Sequence, residues 1–155
     1  MTPIELQDAL VEEIKHILKP YEYKTPADER VPINVFAQSI PIQETDEEED
    51  PIPYVIVRLL SGENPLGKDS FNTVSVVLIV GIYDNDREAQ GHRDVSNIIQ
   101  KIYERFSANP CLNYLAAYTG DFHWMLQEDN YHPYYFGACQ MKFNIAAVRR
   151  EDPLT

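Results

Sequence analysis

F-N-T-V-S-V-V-L-I-V-G-I-Y, residues 71–83, decides the fold. Val74, Val76, Leu78, Val80 and Ile82 recur at every second position, the period of a β-strand with one buried face. The other face opens on Thr73 and Ser75 and turns apolar at Val77 and Ile79. That pattern predicts a strand covered on both faces at one end and on one face only at the other. Upstream, Tyr54-Val-Ile-Val-Arg-Leu-Leu60 is rich in β-branched residues and predicts a second strand. Ser61-Gly-Glu-Asn-Pro-Leu-Gly-Lys68 supplies the turn between the two, which favours an antiparallel pair. Downstream, Tyr83-Asp-Asn-Asp-Arg-Glu-Ala-Gln-Gly-His-Arg-Asp94 leads into Val95, Ile98, Ile99, Ile102, Tyr103 and Phe106. Those apolar residues stand at helical spacing, predicting a helix over Asp94 to Phe106 closed by Ser107-Ala-Asn-Pro110.

The chain starts with another helix, over about residues 3–19. Thr2 can cap it, Pro3 suits the first helical position, and Glu5 completes a capping box. Leu6, Leu10, Ile14, Ile17 and Leu18 form its apolar stripe, and Lys19-Pro20 ends it. Residues 21–30 read as a loop. Ile33 to Ile42 reads as a strand that Pro41 weakens or places at a sheet edge. Residues 111–121 fit no one element, with Gly120 marking a turn. His123 to Gln127 predicts a short strand and Asp129 to Pro133 a loop. A last strand follows over about 134–148, where Met141, Phe143 and Ile145 alternate with Gln140, Lys142 and Asn144. The expected fold is α+β: a mostly antiparallel four- to five-stranded sheet with two helices packed on one face, as one domain over 1–155.

A chain of 155 residues buries about 68–70% of its unfolded surface, enough for a core without staples. Thirteen basic residues against 25 acidic ones give a formal charge of −12. Nucleic-acid recognition needs a basic footprint, so direct DNA or RNA binding is not expected. Acidity is compatible with DNA passing by without sticking. No apolar run approaches the ~18 residues of a membrane span. The first residues lack the basic-then-apolar layout of a signal peptide, so cytosolic synthesis is expected. Cys111 and Cys139 form no CxxC pair, and the apolar surroundings of Cys139 predict a buried reduced thiol.

The joint at 83–94 invites a chemical reading. Asp84, Asp86, Glu88 and His92 together could hold a divalent ion that activates water, as in a small metal-dependent hydrolase. The pattern lacks HExxH, a second ligand cluster and a phosphate-binding glycine loop, and His16, His123 and His132 sit in unrelated contexts. A connector accounts for more of these residues, because short acids satisfy backbone amides in turns and suit the start of a helix. No GxSxG marks a serine nucleophile. No catalytic residue, metal or cofactor is expected.

Two other features stand out. Glu44, Asp46, Glu47, Glu48, Glu49 and Asp50 form an acidic run that repels itself and predicts a solvated loop at about 43–51. The run lacks the alternating ligands and turn glycine of a calcium loop. Tyr131, His132, Tyr134 and Tyr135 cluster with Phe136 near Pro133, and Trp124 lies a few residues earlier. Amphipathic rings of this kind are enriched at interfaces.

The order of elements resembles that of bacteriophage tail-terminator, or tail-completion, proteins. The strings that carry it are the first helix ending at Lys19-Pro20, Pro53-Tyr-Val-Ile-Val-Arg-Leu-Leu60 and the long strand ending Gly81-Ile-Tyr-Asp84. The Gly91-His-Arg-Asp94 helix and the closing strand through Phe143-Asn-Ile-Ala-Ala-Val148 complete the set. The resemblance implies a structural subunit of phage or prophage origin, made in the host cytoplasm and ending in the virion tail. It would form a ring, typically a hexamer, that caps the head-proximal end of the tail tube. Its partners would be further copies of itself, the tail tube protein and the head–tail connector, with DNA only passing through. Another neck or baseplate component is the nearest alternative. In either case the acidic run and the tyrosine cluster become candidates for lumen or interface.

Overall fold

The computed structural model describes residues 1–42, 51–67 and 71–147. Helix α1 spans Pro3–Leu18, and the Thr2 hydroxyl accepts a hydrogen bond from the Glu5 amide at 3.1 Å, the expected cap. Leu6, Leu10, Ile14 and Leu18 are fully buried along one stripe, each contributing about 1.5–3 kcal/mol of burial free energy. Helix α2 spans His92–Ala108, two residues longer at each end than the periodicity predicts. It starts from Gly91 with no side-chain cap, and Val95, Ile98, Ile99, Ile102 and Phe106 form its buried stripe.

Eight strands accompany the helices. Residues 21–30, expected as loop, contain most of a small antiparallel hairpin of β1 (Glu22–Lys24) and β2 (Arg30–Pro32). The main sheet has six strands, more than the four to five expected, and is strongly curled. In chain order they are β3 (Asn34–Ala37), β4 (Tyr54–Glu63), β5 (Asn72–Tyr83), β6 (Cys111–Leu112), β7 (Ala116–Leu126) and β8 (Tyr134–Ile145). Across the sheet they lie in the order β3-β4-β5-β8-β7-β6. β3 runs parallel to β4, and every other neighbouring pair is antiparallel.

Three strand boundaries depart from expectation. β3 is four residues long, where 33–42 was expected to be extended. β8 ends at Ile145. The unassigned stretch 111–121 is β6 and the first half of β7, whose second half is the strand expected at 123–127. A register shift between Tyr118 and Phe122, with Gly120 at φ 96°, breaks the alternation of β7. The β6–β7 turn uses Asn113 and Tyr114 at φ 50° and 60°, without the glycine that usually announces such a hairpin.

Both helices lie on one face of the sheet and form one core with it. Val74, Val76, Leu78, Val80 and Ile82 of β5 point into that core with Met141, Phe143 and Ile145 of β8. An amide relay fastens α1 to the sheet, with Gln7 buried and Gln38 exposed. Gln7 Nε2 donates to the Val57 carbonyl and to Gln38 Oε1, each at 2.9 Å, and Gln38 Oε1 also accepts from the Leu59 amide at 2.9 Å. Arg105 of α2 pairs with Glu13 of α1 and donates to the carbonyls of Asn109 and Cys111. It joins the two helices and ties the end of α2 to the start of β6. Among the described residues no helix is long and apolar enough to cross a membrane.

Candidate functional site

The joint at 84–92 is held by its own acids. Asp84 Oδ1 accepts from the Asp86 amide at 3.0 Å, and Asp86 Oδ1 from the Glu88 amide at 3.1 Å. These are the local turns short acids favour. Asp86, Glu88 and His92 are exposed. Among the described residues no three His, Cys, Asp or Glu side chains come together as a metal-holding group. Gly91 is required by close packing: a Cβ there would lie 2.3 Å from Cδ2 of Tyr135.

One acid of this stretch has a distinct environment. Asp94, in the first turn of α2, borders a cleft of about 340 Å³ with Tyr21, Tyr23, Arg30 and Lys101. Burial pushes its carboxyl above the ordinary value and the Asp84 charge adds to this, while Arg30 and Lys101 oppose. Burial, with Asp94 second, also pushes the Tyr23 hydroxyl up to about 12. Sequence reasoning saw Asp94 only as a helix start, because the chain fold alone brings Arg30 and Lys101 to it. The Cys139 thiol is buried and pushed up to about 12, whereas Cys111 is exposed.

The aromatic loop packs directly on the joint. The Asp84 amide donates to the Pro133 carbonyl at 2.9 Å, and the Tyr83 and Tyr134 rings meet edge-on at 5.6 Å. Tyr135 is buried under Gly91, and its hydroxyl lies 2.8 Å from His132 Nδ1. Tyr135 therefore serves the core, Tyr134 is half-buried, and Tyr131 and His132 remain on the surface. The acidic residues Glu44, Asp46, Glu47, Glu48, Glu49 and Asp50 lie outside the described residues.

The helix-free face of the sheet carries a further candidate surface. Ile56, Ile79, Ala138 and Met125 are direct cross-strand neighbours on β4, β5, β8 and β7, making one apolar row across four strands. Ile56 is buried, Ile79 and Ala138 are half-buried, and Met125 is 68% exposed. Beside the row lie Val77, Gln140 and His123, then Ser75 and Lys142. The alternation in β5 foretold this change from polar to apolar, but not its continuation into the neighbouring strands. Trp124, on the opposite face of β7, lines a cleft of about 400 Å³ with Ile99, Gln100 and Tyr103 of α2. Compared with known proteins, the chain matches no family model and no curated protein.

Proposed function

We propose that the protein is a self-assembling structural subunit, a ring-forming cap of the bacteriophage tail-terminator kind. The apolar row on the helix-free face carries this reading. A two-layer α+β fold leaves one sheet face to water or to a partner, and a contiguous apolar strip there favours a partner. Function then follows from complementary surfaces and a central hole. The ring ends tail-tube polymerisation and offers its other side to the head–tail connector. The net charge of −12 lets DNA slide through the hole without sticking.

Electron microscopy of the purified full chain, alone and with tail tube protein, tests the proposal. Rings are expected, either free or at tube ends. An Ala138→Glu variant, which places a charge in the apolar row, is expected to lose them while keeping its circular dichroism spectrum. Particles that stay monomeric under both conditions overturn the reading.

A further inference from the structure

Among the described residues, β3 and the far end of β7 pair with no further strand. β7 pairs with β6 only through Ala116 and Ala117, and no described residue pairs with its outer edge from Phe122 to Leu126. The Gln127 amide donates to the Phe136 carbonyl at 3.1 Å, which turns the odd-numbered residues of this stretch toward β8. Phe122, Trp124 and Leu126 therefore aim their amides and carbonyls outward. The stretch Phe-His-Trp-Met-Leu has no proline, lysine or bulge, the devices that blunt an edge strand. Trp124 is 63% exposed. At the other end, the Asn34 and Gln38 amides donate to the Pro53 and Val57 carbonyls of the β4 side. Val35 and Ala37 of β3 therefore face outward, beside a cleft of about 500 Å³ bordered by Lys15, His16 and Lys19 of α1.

We infer that the β7 edge of one copy pairs with the β3 edge of the next, continuing the sheet from subunit to subunit. This rests on the assembly function proposed above and adds a backbone junction to the contact made by the apolar row. Strand direction supports it. β3 is parallel to β4, and three antiparallel steps lead from β4 to β7, so β3 and β7 run oppositely. Rotation about an axis along the strands preserves that relation and makes the junction an antiparallel ladder.

Side-chain parity agrees. Setting Trp124 opposite Val35 places Phe122 opposite Ala37 and Leu126 opposite Ile33. It joins the outward groups of Trp124 and Val35 and the Ala37 amide, the Ala37 carbonyl already accepting from the Ser39 amide at 2.8 Å. Phe122 and Trp124 share the face of core residues Met141 and Cys139, and Val35 belongs to the same core. The helices of successive copies thus stay on one side of the sheet; a one-residue slip would alternate them. At the flanks, Asp121, Glu128 and Asp129 bracket the β7 stretch, with Asp121 already 3.8 Å from Lys142 Nζ, and Lys19 stands at β3 beside the Glu12–Lys15 pair. The two edges differ, so the contact is heterologous, and it forms a ring when the rotation between copies closes and an open filament when it does not.

Proline at an outward position removes a junction donor without breaking the internal ladder. Ala37→Pro and Trp124→Pro in the full chain are each expected to abolish assembly in light scattering, with unchanged circular dichroism. Trp124→Lys gives the same loss without altering the backbone. A mixture of the two proline variants retains one good edge of each kind, so a species of two chains is expected. Trp124 is the sole tryptophan, and its emission shifts to shorter wavelength in assembled wild type but not in Ala37→Pro. Assembly of either proline variant at wild-type strength, or a mixture that stays monomeric, overturns the junction while self-assembly stands. A wild-type chain monomeric at every concentration, with and without tail tube protein, overturns both.

Discussion

Tyr118 places its hydroxyl in the core, with no hydrogen-bond partner among the described residues. A buried hydroxyl without a partner forfeits its hydration. Tyr118→Phe keeps the ring packed against Phe106 and Phe143, and is expected to raise stability by about 1 kcal/mol in urea denaturation. Asp94 presents a pH-dependent cost. Its folded pKa lies above the ordinary aspartate value of 3.8, so the folded state holds this proton more tightly than the unfolded chain. The group's contribution is most favourable below pH 3.8 and declines as pH rises through the folded pKa. Asp94→Asn is therefore expected to raise Tm at pH 7 and to leave it nearly unchanged at pH 3. An equal gain at both pH values would count against this.

At the scale of elements, Arg105 concentrates the link between the two helices. Its side chain and that of Glu13 are 23% and 22% exposed, so solvent screens the pair only in part. Arg105→Ala loses the ion pair and two hydrogen bonds to the carbonyls of Asn109 and Cys111, for an expected cost of about 2 kcal/mol in urea denaturation. Glu13→Gln, which keeps a hydrogen-bond acceptor, is expected to cost less. The elements also show what was legible. α1, β5, α2 and β8 could be read because their apolar residues keep one period over several turns or pleats, and β4 from its run of β-branched residues. β1, β2 and β6 are two or three residues long, too short for a period to register. β7 was split because Gly120 shifts its register midway. The candidate surface was half legible: Val77 and Ile79 announced an apolar patch on β5, while its neighbours Ala138 and Met125 are set by strand pairing. The open edge of β7 depends on sheet order, which periodicity does not encode.

For the molecule as a whole, charge sets the behaviour toward DNA. A net charge of −12 leaves no counterion-release gain to drive phosphate contacts. No gel shift is expected with duplex DNA even at about 50 mM salt; retention at that salt would show a basic site that the bulk charge conceals. Mechanics follow from the architecture. β5 and β8 are paired at twelve successive positions in the middle of the sheet, and the Gln7–Gln38 relay fastens α1 to β4. Tension along the strands loads those twelve rungs together in shear, whereas tension across them unzips one rung at a time. The subunit is therefore anisotropic as a material: stiff and brittle along β5, compliant where β3 and β7 meet whatever lies beyond them.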